Sequence, residues 1–244
     1  MGDNDLFLYD LAVVAIMKHE EPYVKEWLDY HLLAGVDHFF IYDNDSTPEF
    51  REILQPYIDE GIVTYTSYPG KCRQIEAYND AVQRFKFECR YLAVIDGDEF
   101  IFLKSKSTVN IHHFGSNNLE TADYDMGVLE RFTRRAGDDW APISKDNPEV
   151  HDGTNAVNEN CKIVNGCSNF HVTAEKIVMN HYHTKSYEEY KKKVSSGNAD
   201  HFDNHYKLEQ FQSRDHNEVF DEGILNYVDA RLDALTLTRG GVTA

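Results

Sequence analysis

Long apolar runs are missing from this chain. Nothing approaches the ~18 consecutive apolar residues that a membrane helix needs, so no transmembrane segment is expected. Residues 1–10 carry neither a basic leader nor a cleavage pattern, and no signal peptide is expected there. Cysteine is sparse. Cys72, Cys89, Cys161 and Cys167 form neither a zinc spacing nor a disulfide framework. Reduced thiols in a cytoplasm are the expectation, with Cys161 and Cys167 structural rather than metal-binding. Positive charge is also short, since 24 Lys and Arg face 42 Asp and Glu for a net charge of −18. Such a surface repels nucleic acid, whose binders carry basic stripes. It accepts an anionic ligand when a cation bridges carboxylate to phosphate. Two glycine signatures are absent as well, GxGxxG after the first strand and GxxxxGK[ST] anywhere, so the dinucleotide and P-loop readings lose their main support.

What is present is a core. Hydrophobic residues make up 41% of the 244, including 15 Tyr and 14 Phe, which argues against disorder. The first hundred residues alternate regularly. Continuous apolar or β-rich runs at 11–17 (LAVVAIM), 38–42 (HFFIY), 62–68 and 91–95 (YLAVI) read as strands. Amphipathic stretches at 21–34, 48–59 and 73–87 read as helices. The first has Pro22 in its opening turn and Gly35 just past its end, and Pro56 is expected to kink the second. The third should bury Ile75, Tyr78, Val82 and Phe85. Short strand–helix connections predict right-handed βαβ units and an α/β fold with a central, mostly parallel sheet flanked by helices. The second half is less regular. Residues 176–183 (KIVMNHYH) read as a strand, Ser186 and Glu189 as a capping box, 187–196 as a helix stopped by Gly197, and 222–235 as a last helix.

In parallel sheets ligands lie beyond the carboxyl ends of the strands. There the chain places Lys18-His19-Glu20, Asp43-Asn44-Asp45-Ser46 and Asp96-Gly97-Asp98-Glu99-Phe100. Asp96 and Asp98, one residue apart after an apolar strand, can both reach one cation, and hard oxygen ligands suit Mg²⁺ or Mn²⁺. Asp43 can accept hydrogen bonds from a base or ribose. Asp45 or Ser46 can instead cap the helix that begins at Pro48. His181 and His183 alternate along one strand and share a face, either as metal ligands or as an aromatic surface stripe with Tyr182. Lys185 just beyond can pair with a phosphate.

The stretches VVAIMKHEEPYVKEWLDYHLLAGVDHFFIYDNDS, QIEAYNDAV, YLAVIDGDEFIF, FGSNN and NHYHTKSYEEYKKKV together resemble glycosyltransferase family 92 and related family-2-like enzymes. That resemblance implies a GT-A-like fold at 1–200, with a nucleotide-binding half (1–100), an acceptor half (101–200) and a C-terminal helical extension at 201–244. It implies that Asp43 falls in the nucleoside site, Asp96 and Asp98 on the metal-binding DxD, and His181 on the C-terminal His that completes the metal shell. The expected nucleotide contacts are Lys18, Glu20, Asp43, Gln74, Asp96 and Lys185, and the expected metal set is Asp96, Asp98 and His181 with Mn²⁺ or Mg²⁺. The implied reaction is an inverting sugar transfer from a nucleotide-sugar donor, a UDP-sugar, to a glycan acceptor. Glu120 and Asp123, just after Phe114-Gly115-Ser116, are candidates for the base. The rival readings are a nucleotidyltransferase of similar fold and a catalytically inactive carbohydrate-binding protein. Only about a dozen residues separate Phe100 from Phe114, fewer than in such enzymes, which implies either a shortened acceptor side or residues missing from this sequence.

Overall fold

The computed structural model describes residues 6–103, 111–122, 124, 126–132, 134–135, 156–157, 160–164, 176–196 and 207–240. The elements run β1 (Tyr9–Met17), α1 (Val24–Ala34), β2 (His38–Asp43), α2 (Pro48–Asp59), β3 (Val63–Ser67), α3 (Gln74–Phe85), β4 (Cys89–Val94) and β5 (Glu99–Leu103). Then come β6 (Ile111–His113), α4 (Val128–Arg131), β7 (Arg134–Arg135), β8 (Ala156–Val157), β9 (Ile163–Val164) and β10 (Ile177–His181). The chain continues through α5 (Tyr187–Ser196), α6 (Phe211–Arg214), β11 (Val219–Phe220) and α7 (Gly223–Gly240). Gly197, Cys167 and Asp123 lie outside the described residues.

The four strands expected in one sheet form it, all parallel, in the order β3-β2-β1-β4. Their alternation feeds two cores. Val13, Ala15, Phe39 and Ile41 face Trp27 and Leu28 of α1 and Phe50 and Leu54 of α2. Ala12, Val14, Phe40 and Tyr42 face Ala77, Tyr78, Ala81 and Phe85 of α3. Helices thus cover both faces, which is why β1 reads as one continuous apolar run. The chain builds outward from β1 to β3 and then returns to the other side of β1. The order therefore reverses between β1 and β4, and the carboxyl ends at such a reversal are where parallel sheets place ligands. With the smaller second sheet described below, this is the GT-A-like α/β arrangement expected from the sequence.

Several boundaries differ from expectation. The segment 21–23 is a turn closed by the Glu20 carbonyl, which accepts the Tyr23 and Val24 N–H groups at 3.0 and 2.9 Å, so α1 starts three residues late. It ends as expected, with Gly35 at φ +101°. Helix α2 keeps its expected bounds, with Pro56 inside it. In α3 the buried face is Ala77, Tyr78, Ala81 and Phe85 rather than the 75/82 register, and Ile75 is exposed. Strand β10 stops at His181, so the strict alternation does not extend to His183. Residues 208–240 include Ile224, which joins the main core, and Arg231, which donates to the Leu33 carbonyl at the end of α1. No described helix is long and apolar enough to cross a membrane.

Strand β5 was not anticipated. It opens a second sheet, β5-β10-β6, in which β10 runs antiparallel to β5 and parallel to β6. Among the described residues one edge of β5 has no strand partner. Three side chains of α1 take that place. Trp27 Nε1–H donates to the Glu99 carbonyl (2.8 Å) and the Tyr30 hydroxyl to the Ile101 carbonyl (2.7 Å). The His31 ring bridges the two elements: Nδ1–H donates to the Trp27 carbonyl (2.8 Å), which leaves Nε2 to accept the Ile101 N–H (3.2 Å). The exposed edge of a strand is a row of unpaired backbone groups, and α1 satisfies it.

Burial pushes the His31 pKa down to about 4, against the pull of the Trp27 carbonyl. The unfolded chain takes up the proton near ~6.5. The stability His31 contributes is therefore complete above ~6.5 and is lost as pH falls from there toward 4, by on the order of 3 kcal/mol. We expect His31→Leu to cost ~1–3 kcal/mol at pH 7, because the Ile101 N–H is orphaned. We also expect its stability to fall less than that of the wild type between pH 7 and pH 4. Urea unfolding at the two pH values checks this, and equal slopes would refute the role given to the ring.

Candidate active site

The loop between β4 and β5 is Ile95-Asp96-Gly97-Asp98. The Asp96 carbonyl accepts the Glu99 N–H (3.1 Å), and its N–H donates to Glu99 Oε2 (3.0 Å), which makes a tight turn. Gly97 fits closely, since a Cβ there would lie 3.3 Å from Glu20 Cγ. The β5–β10 register pairs His181 with Glu99, and the Tyr182 N–H donates to the Asp98 carbonyl at 2.9 Å. The last residue of β10 is thereby brought against the turn. A one-residue slip would send His181 to the opposite face.

Ligand atoms of Asp98, His181 and His183 all lie within 4.8 Å of one another. His181 Nε2 is 3.5 Å from Asp98 Oδ1. Lys193, from the last turn of α5, sends Nζ to Asp98 Oδ2 (2.8 Å), with His183 Nδ1 at 3.3 Å. Arg214 approaches the other side of the His183 ring, at 3.4 Å from Nε2. Burial alone would raise the Asp98 carboxyl, but the Lys193 ammonium and His181 outweigh it and hold it well below the usual range. Burial alone would lower His181, but the Asp98 carboxylate outweighs it and lifts the ring above its ordinary value. Burial, followed by Lys193 and His181, pushes His183 well below its ordinary value, so it is neutral. One carboxylate and two imidazoles converging on a point make a mixed oxygen–nitrogen donor set that fits a divalent transition ion.

Asp96 is not in that group. Gln74 Nε2 and the Tyr78 hydroxyl, one turn apart on α3, both donate to its Oδ1 at 2.8 and 2.9 Å. Burial and then the charge of Asp98 raise its pKa. Glu99, raised by burial and then by Asp96, sits at about 7. The two carboxylates of the motif therefore occupy unlike environments, with Asp98 held anionic and Asp96 turned toward α3.

Glu20 and Lys185 meet beyond the end of β1, with Lys185 Nζ 3.4 Å from Glu20 Oε2 and 3.8 Å from the centre of the Tyr23 ring. Burial is the largest cause of a raised Glu20 pKa. Asp43 is buried at the end of β2. Its Oδ1 accepts the Ser46 N–H (2.9 Å) and its Oδ2 the Tyr65 hydroxyl (2.6 Å). A groove of about 660 Å³ opens beside it, bordered by Arg51 and Gln55 of α2. Neither Asp45 nor Ser46 caps α2. Thr47 is the cap residue, and its N–H and hydroxyl donate to Glu21 Oε1 at 2.9 and 2.7 Å. Lys18 is exposed, directly after the end of β1.

The remaining expected residues stand apart. Glu120 is exposed, and its carbonyl accepts the Glu188 N–H at 3.0 Å. Among the described residues no side-chain contact joins Glu120 to the Asp98 cluster. The Ser186–Glu189 capping box forms, and Glu189 also receives Arg131 in a buried pair at 2.7 Å and the Tyr23 hydroxyl. The FGSNN segment is a structural knot. Ser116 donates through its N–H and hydroxyl to Asp215, the Asn117 N–H donates to Asn217 Oδ1 (2.7 Å), and Phe114 stacks on Tyr182. Sequence reasoning missed Lys193 and the contact of Tyr78 with Asp96. Helical spacing carried a signal for both, since Lys193 shares a stripe with buried Glu189 and Tyr190, and Tyr78 lies one turn from Gln74.

The profile of Glycosyltransferase family 92 matches residues 14–232. A glycosyltransferase family 92 protein of Ricinus communis is 25% identical over 214 residues, covering 76% of this chain and 37% of that protein. Galactan β-1,4-galactosyltransferase GALS2 of Arabidopsis thaliana is 30% identical over 97 residues, covering 36% of this chain and 19% of that protein. Among solved structures, S. aureus TarS 1-349 in complex with UDP aligns at 16% identity over 38% of this chain and 28% of that chain, with a TM-score of 0.31. The chain belongs to glycosyltransferase family 92, and it spans 37% of the length of the Ricinus relative.

The knot gives an expectation of its own. A Cβ at Gly115 would fall 2.2 Å from the His216 carbonyl oxygen, a backbone atom that cannot swing aside. We expect Gly115→Ala to cost ~1–3 kcal/mol or more through overpacking. Thermal unfolding checks it, and an unchanged midpoint would remove the packing explanation of this motif.

Proposed function

We propose that this chain carries the donor site of a metal-dependent glycosyltransferase that takes a sugar from a nucleotide-diphosphate donor, with a UDP-sugar as the donor to test first. The observation that carries the reading is the convergence of Asp98, His181 and His183 at the switch point of a parallel sheet, in a chain of family 92. Helix N-termini and carboxyl edges of such sheets are where nucleotides lie. A −18 chain without a glycine-rich loop needs a cation to hold a diphosphate. Asp98, His181 and His183 would hold the cation, and the mixed donor set favours Mn²⁺ over Mg²⁺. When bound, the cation would supply Lewis-acid stabilisation of the departing diphosphate. Asp96, fixed by Gln74 and Tyr78, would face the ribose. Asp43 would accept from the base or ribose beside its groove, and Lys185 would meet a phosphate oxygen once it exchanges Glu20 for it. In an inverting reaction a carboxylate takes the proton of the acceptor hydroxyl. Glu120, exposed on the loop held by the start of α5 and apart from the Asp98 cluster, is a candidate for that role or a solvated loop residue, and a glycan is the proposed acceptor. The names of the Arabidopsis relatives make a galactosyl donor the first sugar to try.

Two variants test the donor site by calorimetry of UDP at fixed Mn²⁺. Asp98→Asn should abolish the Mn²⁺-dependent part of UDP binding while leaving the fold intact. Asp43→Ala removes a hydrogen-bonded partner worth ~1–3 kcal/mol and should weaken UDP about 5- to 150-fold. UDP binding that is indifferent to Mn²⁺ in the wild type would overturn the metal reading. Unchanged affinity of Asp43→Ala for every nucleotide tried would remove Asp43 from the site.

A further inference from the structure

Lys193 is a cation already seated on the carboxylate that the donor site needs. Its Nζ lies 2.8 Å from Asp98 Oδ2, 3.3 Å from His183 Nδ1 and 3.2 Å from the His183 carbonyl oxygen. Those neighbours include two of the three side chains that converge as a metal-binding group. Asp98 is thus shared, with Oδ1 toward His181 and Oδ2 toward Lys193. The Lys193 side chain is 32% exposed, against 11% for Asp98. The lysine side chain is thus the more solvent-exposed of the two. Its four-carbon stem is flexible, and it is rooted in the last turn of α5, a helix fixed at its other end by the Ser186–Glu189 box and the buried Arg131–Glu189 pair.

We propose that Lys193 is a tethered countercharge that exchanges partners, leaving Asp98 when a divalent cation arrives and pairing with a phosphate oxygen of the donor diphosphate. This rests on the metal-dependent donor site proposed above and adds a residue to it. An ammonium and a dication cannot share one carboxylate oxygen at close range without repelling each other. The stem keeps the displaced ammonium beside the site, where the anion to be bound is the diphosphate. The exchange has a thermodynamic consequence. Lys193 competes with the metal when no nucleotide is bound and assists it when nucleotide is bound, so it strengthens the coupling between the two ligands. Coupling between ligands is reciprocal, so it can be read from either side.

The test uses the whole chain and three versions of it: wild type, Lys193→Met and Lys193→Arg. Lys193→Met keeps the apolar stem and removes the charge, and its thermal midpoint reports whether it folds. Mn²⁺ binding is measured first without nucleotide, by electron paramagnetic resonance of free Mn²⁺. UDP and uridine are then titrated at saturating Mn²⁺. We expect Lys193→Met to bind Mn²⁺ alone more tightly, on the order of tenfold, and to bind UDP more weakly by a similar factor. Uridine, which has no phosphate, should be unaffected, and Lys193→Arg should restore both values toward wild type. Wild type binding Mn²⁺ while Lys193→Met binds it no more tightly would overturn the exchange and leave the donor-site reading standing. Loss of uridine binding together with UDP would reduce Lys193 to a structural support and overturn it as well. Absence of Mn²⁺ binding in all three proteins would overturn both.

Discussion

The edge of β5 is the constraint on which the site depends. Strand β5 carries the exit of the Asp96–Asp98 turn, and its outer edge would offer unpaired backbone groups to solvent. Trp27, Tyr30 and His31 of α1 satisfy that edge with three polar tips, while their rings remain in the core. Helix α1 belongs to the parallel sheet and β5 to the second sheet, so the same three side chains fix one sheet against the other. His31 also stacks on Phe100, and Tyr30 meets it edge-on, which sets the rotation of β5 as well as its height. With β5 fixed, antiparallel pairing delivers β10, and with β10 comes His181. The geometry of the Asp98–His181–His183 cluster is thus decided some distance away, by aromatic residues that combine a large apolar surface with directional hydrogen bonds.

Charge is organised by the same framework. Asp96 and Asp98 are one residue apart and both deeply placed, yet one is stabilised as an anion by Lys193 and His181 and the other is destabilised by burial and by its neighbour. Two carboxylates driven apart in this way can take different tasks. The buried Arg131–Glu189 pair, with Tyr23 and Ser186 completing the coordination of Glu189, anchors α5 behind the site. Removing one partner of such a pair leaves an uncompensated buried charge. That makes α5 a rigid base from which Lys193 reaches forward.

Much of this was legible in the amino-acid order because the parallel sheet has a strong local signature. Strands β1 and β2 are buried on both faces and read as continuous apolar runs, and the helices between them carry clear stripes. The carboxylates at the strand ends followed from that topology. Strand β5 escaped because residues 99–103 follow the turn so closely that they read as its continuation. Its role appears only once α1 is laid against it. Tyr78 lies on the buried face of α3 as expected, but its spacing from Gln74 gains meaning only once both are laid against Asp96 on another element. His183 was read as one pleat beyond His181, whereas β10 ends at His181 and the chain bends, which brings both rings to the same point with centres 5.1 Å apart. Lys193 sits in a run of three lysines that looks like a solvated face, and only the burial of Glu189 and Tyr190 on the same helix turns one of them inward. Tertiary pairing, not local propensity, decides each of these cases.

In the proposed site, imidazole from β10 and a carboxylate from the β4–β5 turn hold one ion. The most direct measurement is electron spin-echo envelope modulation of the Mn²⁺-loaded protein, which detects nitrogen nuclei bonded to the metal. The expected result is a ¹⁴N coupling that His181→Ala removes or halves, with the fold intact. A spectrum with no nitrogen coupling in the wild type, at a Mn²⁺ site still lost in Asp98→Asn, would contradict it and leave the cation held by oxygen alone.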